Sequence, residues 1–302
     1  MTTSSDIPLS ASSSLSLNGA NYLDSPLNYV LTSDANIAFR TFGEGPVLLL
    51  IHGFPLHGFT WRHVIPELSR HYTCIVPDLA GLGETHWDKQ TDFNFLAHAR
   101  RMKQLVDSLG ITRYRVLAHD TGATVARCLA LIDATRLLKL ILIDTEIPDH
   151  RPPWIREFQL VTKLPGSNWG FRQLLRSRWM RRSGMGYGGL FENLDLIDGE
   201  FYDQFIGPLI SSSERIEGVA HYLSGIDWKV VDSMKVRHGE ISQSVLLVWG
   251  ANDPVFPIGL ARRMAEQFRH FGGFAEVAGA RVLPHEEKAD EVVAAAMAFL
   301  DG

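Results

Sequence analysis

Two hydrophobic periods alternate along the chain. Residues 47–51, 72–76, 114–118, 137–143 and 244–249 are short, nearly unbroken apolar runs, the pattern of strands buried on both faces of a parallel sheet. Between most of these runs the apolar positions spread to the spacing of one helix face. That spacing predicts helices over 61–69, 95–109, 125–132, 260–268 and 289–300. A hairpin is expected over 28–40, where two short runs flank the polar turn Ser33-Asp34-Ala35-Asn36, and a last short strand near 274–277. Strands that alternate with helices imply a parallel sheet covered on both faces, with reactive groups gathered at the carboxyl ends of the strands.

The alternation stops between about 147 and 236. This stretch opens with Pro148-Asp149-His150-Arg151-Pro152-Pro153-Trp154 and holds helical segments without buried-strand runs, so it reads as a helical insertion. Its first part is basic (Arg151, Arg156, Lys163, Arg172, Arg176, Arg178, Arg181, Arg182) and its second part acidic (Glu192, Asp195, Asp198, Glu200, Asp203). The two halves are expected to complement each other as solvated helix faces. The expected organisation is a tail over 1–24, a core over 25–147 and 236–302, and the insertion over 148–235.

Composition narrows the function. With 302 residues, 45% of them hydrophobic, the chain buries a large core. A net charge of -5 gives no general attraction to nucleic acid or to an anionic membrane. Cys74 and Cys128 lie in apolar stretches without metal-ligand spacing and read as buried thiols. The Ser/Thr-rich start has no basic segment followed by an apolar run, and no stretch is long enough to span a bilayer. A cytoplasmic enzyme, monomeric or homodimeric, without cofactor or metal, is the expectation.

The chemistry concentrates at Ala118-His119-Asp120-Thr121-Gly122. An apolar strand runs into a turn of small residues and then a helix, which places Asp120 at the apex of a tight strand–turn–helix elbow. The helix start offers free N–H groups to negative charge. Three more motifs follow strand ends or precede a helix: His52-Gly53-Phe54-Pro55, Gly250-Ala251-Asn252-Asp253, and Leu283-Pro284-His285.

Taken together, from about residue 28 to residue 300, these four motifs resemble the α/β-hydrolase fold, with the insertion in the place of that family's cap. The Asp at the elbow is similar to the branch containing epoxide hydrolases and haloalkane or haloacetate dehalogenases. The resemblance implies a triad of nucleophile Asp120, acid Asp253 and base His285, with Asp144 as the alternative acid. It also implies an oxyanion hole from the backbone N–H groups of Phe54 and Thr121. An aspartate is ionised without help and gains little by attacking an ester, because the product is a more reactive anhydride. Attack on a saturated carbon that bears a leaving group gives a stable alkyl ester instead. The expected substrate is therefore a small alkyl electrophile, with water as the second reactant.

Epoxide and halide differ in what receives the leaving group. An alkoxide needs a proton donor, which in epoxide hydrolases is a pair of cap tyrosines, and the segment around Tyr202 resembles the one that carries a member of that pair. Tyr187 and Tyr222 are candidates for the other. A halide needs N–H donors, yet Thr121 stands where a Trp often follows the nucleophile and Phe54 where an Asn is common. The arginines of haloacetate dehalogenases are replaced by Thr121 and Thr124. Trp154, Trp169, Trp179 and Trp228 remain possible donors, with Trp154, Tyr187 and Tyr222 expected to line the substrate site. Epoxide hydrolysis to a diol is the leading expectation, dehalogenation the alternative, and a non-catalytic binding protein on the same fold the third.

Overall fold

The sheet is built outward from its most apolar run. A computed structural model describes residues 19–302. Among them, nine strands form one sheet: β1 (Asn28–Leu31), β2 (Ala35–Phe42), β3 (Val47–Ile51), β4 (Thr73–Pro77), β5 (His86–Trp87), β6 (Tyr114–His119), β7 (Leu137–Ile143), β8 (Ser244–Gly250) and β9 (Phe271–Val277). The spatial order is β1-β2-β4-β3-β6-β7-β8-β9, with β5 paired to β2. From β4 to β9 every pairing is parallel, and β1, β2 and β5 add the antiparallel edge.

β3 shows why the apolar runs are continuous. Leu49 and Ile51 face one apolar cluster, with Val116, Ala118 and Leu142, while Leu48 and Leu50 face the other, with Leu117, Ile141 and Val248. Both faces are covered, so both alternate positions are apolar. The order reverses at β3: the chain goes to one side for β4 and to the other for β6. Parallel pairing of Ile51 with Ala118 sets the residues after β3 beside those after β6. This is the switch point at which open α/β sheets place their sites.

The structure differs from the sequence reading in several elements. The segment read as one helix over 61–69 is a short 3-10 turn, Gly58–Trp61, and a short helix, Ile65–Leu68, because Pro66 fits the first turn of a helix and not its interior. The two-residue β5 is too short to give a period. Of the expected tail, Gly19–Asp24 is a helix whose Tyr22 packs on Phe42 and Phe59, with ring centroids 5.2 and 5.3 Å away. Residues 1–18 lie outside the described residues.

Between β7 and β8 the chain is helical, with Ile155–Val161, Ser167–Arg176, Ser213–Gly225 and Trp228–Arg237 as its longer segments. The basic and acidic halves meet: Arg178 and Arg182 reach Asp198 at 2.9 and 2.8 Å, and Arg182 also reaches Asp195 at 2.9 Å. Cys74 and Cys128 are buried free thiols. No helix among the described residues is long and apolar enough to cross a membrane.

Candidate active site

β6 ends at His119, and the helix Thr121–Ile132 begins at once, so Asp120 alone makes the turn. It does so at φ 50° and ψ −130°, a conformation that non-glycine residues adopt only when their surroundings hold them there. The restraint is visible. The Asp120 N–H donates to the carbonyls of Ile143 and Asp144 (3.0 and 3.1 Å), and the Thr145 hydroxyl donates to the Asp120 carbonyl (2.9 Å). Gly122 is required for the helix to approach β3, because a Cβ there would stand 2.1 Å from the His52 carbonyl oxygen.

The Asp120 side chain faces two backbone donors. The Phe54 N–H donates to Oδ2 at 2.8 Å, and the N–H and hydroxyl of Thr121 also point to the carboxylate. Burial holds its pKa well above the ordinary value, and the nearby Glu146 pushes in the same direction. The donors from Thr121 and Phe54 oppose this in part. Above the carboxylate, Tyr222 of helix Ser213–Gly225 donates its hydroxyl to Thr121 Oγ1 at 3.0 Å and stacks on Phe54 at 5.6 Å. Burial raises the Tyr222 pKa, so the phenol keeps its proton.

The other two members of the expected triad are not joined to it. Among the described residues no hydrogen bond links His285 to Asp253, Asp144 or Asp120. His285 lies inside a short helix, Pro284–Glu287, fully buried, with Nε2 2.8 Å from Thr60 Oγ1. The Thr60 hydrogen goes to Glu286 Oε1 at 2.7 Å, so the hydrogen between Thr60 and His285 comes from Nε2. The Nδ1 atom then carries no hydrogen and meets no partner. A triad histidine needs the opposite tautomer, with Nδ1–H donated to the acid.

Asp253 turns to a different neighbour. Its Oδ1 accepts the N–H groups of Val255 and Phe256 (2.7 and 2.9 Å), and its carboxyl group lies against that of Asp144. Asp144 takes the Gly250 N–H on both oxygens (3.0 and 3.1 Å). Two buried acids side by side retain a proton between them. Asp144 is held well above the carboxylate range by burial and by Asp253, and burial pushes Asp253 up to about 6. Both expected acids are present, as a pair with each other.

Residues 46–280 match the family model described as alpha/beta hydrolase fold. The chain belongs to the α/β-hydrolase family. The match ends before His285. The chain is 23% identical over 260 residues to epoxide hydrolase 4 of Homo sapiens, covering 77% of this chain and 67% of that protein. It is 30% identical over 150 residues to haloalkane dehalogenase of Mesorhizobium japonicum, covering 48% of this chain and 45% of the relative. The unliganded epoxide hydrolase CorEH superposes with a TM-score of 0.77 at 21% identity, over 91% of this chain and 98% of that one. This is thus a hydrolase fold whose relatives carry both epoxide hydrolase and dehalogenase names.

The remaining candidates separate in this hydrolase. Tyr202 is half-buried under the Arg181 guanidinium, 4.5 Å from its ring, and none of its contacts reaches Asp120. Tyr187 is buried edge-on against Phe201 at 5.6 Å. Trp154 is 50% exposed. Tyr222, Phe54 and Thr121 do converge on Asp120. Sequence reasoning missed Glu146, buried with Oε2 accepting the Thr124 hydroxyl (2.6 Å), with Thr145 Oγ1 3.0 Å away and Arg127 beside it. Its only sequence signal was its place two residues after Asp144. A cavity of about 150 Å³ lies nearby between core and insertion, lined by Pro55, His57, Gln204 and Arg215, and Asp120 does not reach it.

Proposed function

We propose that this hydrolase opens an epoxide through Asp120, forming an alkyl ester that water cleaves to release a diol. The observation that carries the reading is the carboxylate of Asp120 at the elbow apex, with Oδ2 on the Phe54 N–H. In the first step a carboxylate oxygen attacks a ring carbon, the carbon–oxygen bond opens, and the alkoxide takes a proton from Tyr222. In the second, water adds to the ester carbonyl, and the oxyanion forms facing the N–H groups of Phe54 and Thr121, donors worth about 3 kcal/mol each.

Tyr222, and not Tyr202, takes the role of proton donor, because its protonated phenol stands one hydroxyl away from Asp120. Halide chemistry is less well supplied. Trp228 gives its indole N–H to Gln159 at 3.0 Å, and Trp154, Trp169 and Trp179 are exposed. His285 keeps its Nε2 hydrogen for Thr60, so the reading gives it no part in the first step.

The test is a rapid-quench experiment with a styrene-type epoxide and a matched bromoalkane, read by peptide mass spectrometry. One alkyl group should appear on Asp120, vanish in Asp120→Ala, and form about 10²–10⁴-fold more slowly in Tyr222→Phe, as loss of a general acid predicts. Tyr202→Phe should leave the rate unchanged. An adduct on another residue would end the reading, and halide release without diol from any epoxide would move it to dehalogenation.

A further inference from the structure

The outward arc of a helix on a protein surface is ordinarily polar. Two helices of the insertion reverse that rule. Ile155–Val161 and Ser167–Arg176 hold no fully buried residue. They lie side by side, with Phe158 and Phe171 half-buried between them and ring centroids 6.1 Å apart. On the same inner side Gln159 donates to the Leu223 and Ile226 carbonyls at 2.9 and 3.1 Å. At about 100° per residue, the opposite arc of the first helix carries Leu160 and Val161, and that of the second carries Trp169 and Leu174. The turn that joins them adds Leu164. All five are exposed, Leu160 to 64%, Leu164 to 59% and Trp169 to 69%.

Single apolar side chains scattered over a surface mean little, but a contiguous set rimmed by one sign of charge marks a contact face. Here the charge is positive. Residues 151–182 carry eight Lys or Arg against one acid, a net of +7 where the whole chain carries -5, so the rest of the molecule is strongly acidic. Later acids of the insertion neutralise part of this: Asp232 takes Arg151, and Asp195 and Asp198 take Arg178 and Arg182. Arg156, Lys163 and Arg176 are exposed and form no ion pair among the described residues. These three stand between the apolar side chains of the face.

The charge decides which partner fits. A second copy of the chain, docked through the same face about a two-fold axis, would set Arg156, Lys163 and Arg176 against their own copies. A nucleic acid stacks its bases on aromatic rings, and Leu160, Val161, Leu164 and Leu174 offer none. An anionic lipid surface takes both kinds of side chain at once, with leucines and the indole at the headgroup level and cations among the phosphates. We propose that the outer face of the helices Ile155–Val161 and Ser167–Arg176 docks the protein on an anionic phospholipid bilayer. The acidic remainder turns away from the lipid, so the charge asymmetry orients the molecule as well as attracting it. Docking of this kind is independent of the chemistry at Asp120.

The experiment sediments the full chain with vesicles of equimolar phosphatidylcholine and phosphatidylserine, and with vesicles of phosphatidylcholine alone, at low and at high salt. The wild type should bind the mixed vesicles at low salt in spite of its net charge of -5, and far more weakly in high salt or without phosphatidylserine. Lys163→Gln combined with Arg176→Gln should weaken binding about 20–30-fold, since each cation near such a surface contributes about fivefold. Leu164→Ser combined with Trp169→Ser should weaken it about tenfold or more through lost apolar burial. All four side chains are exposed, so both double variants should unfold at the wild-type temperature. Absence of binding to the mixed vesicles at low salt, equal binding to the two kinds of vesicle, or binding that neither double variant weakens overturns the proposal. So does a dimer in lipid-free solution that Leu164→Ser with Trp169→Ser converts to monomer, which would give the face to a second copy.

Discussion

Asp144 and Asp253 show at the scale of single residues how burial stores a pH dependence. Unfolded, an aspartate releases its proton near 3.8, whereas Asp253 in the folded protein holds its own to about 6. A folded-state pKa above the unfolded value means that folding takes up a proton between the two. The favourable contribution is complete below the unfolded value and lost as pH rises through about 6. Urea unfolding midpoints should therefore fall as pH rises from 4 to 6, with Asp253 contributing a loss of about 3 kcal/mol. Asp253→Asn should flatten that fall, and a variant curve parallel to the wild type would refute the paired-acid account. The same pair explains what the sequence could and could not reveal. The strand-end motifs identify Asp253 and Asp144 as carboxylates near Asp120, but whether an acid faces a histidine or another acid depends on contacts that no local pattern records. His285 is the sharper case. Its hydrogen-bond partner, Thr60, is 225 residues away in the chain, and the motif Pro284-His285-Glu286 reads alike for a base and for a buried strut.

Among the elements, the helix Ser213–Gly225 matters most, because it brings Tyr222 to the elbow. It approaches the core without side chains: a Cβ on Gly218 would stand 2.3 Å from the Gly81 carbonyl oxygen, and one on Gly81 2.8 Å from that of Gly218. Gly218→Ala should cost about 1–3 kcal/mol, as overpacking does, and slow alkylation because Tyr222 lies one turn later. Gly170 gives the contrast. It sits inside the helix Ser167–Arg176 with nothing within 4 Å of its Cβ position, so Gly170→Ala should stabilise by about 0.5–1 kcal/mol. Thermal unfolding of both variants, with single-turnover alkylation for the first, checks the pair of signs. Elements of the core were legible because β3, β6, β7 and β8 are apolar on both faces, which only a covered parallel sheet explains. The docking of the insertion was not, since contact between two glycines leaves no hydrophobic period to read.

For the molecule as a whole, the question is what holds the insertion over a site as closed as this one, where Asp120 is 8% exposed and Tyr222 1%. Two kinds of attachment differ in strength. At one side Arg215 reaches Glu84 at 2.5 Å and the Gly83 carbonyl at 2.9 Å, with the Glu84 side chain half exposed. Such a pair is solvated and screened, and contributes under about 1 kcal/mol. At the other side Arg62 is buried. It joins Glu286 of the core at 2.9 Å and Glu200 of the insertion at 2.6 Å, and Glu286 also receives the Thr60 hydroxyl that accepts from His285. Removing the guanidinium strands the Glu286 carboxylate in the interior, which typically costs 3–5 kcal/mol, roughly. Removing the exposed Glu200 carboxylate strands nothing, because Arg62 keeps Glu286. Denaturant unfolding should therefore rank Arg62→Met as severely destabilised and place Glu200→Gln and Arg215→Met within about 1 kcal/mol of the wild type. An Arg62→Met protein as stable as Glu200→Gln would mean that the knot of Arg62, Glu286, Thr60 and His285 does not anchor the insertion.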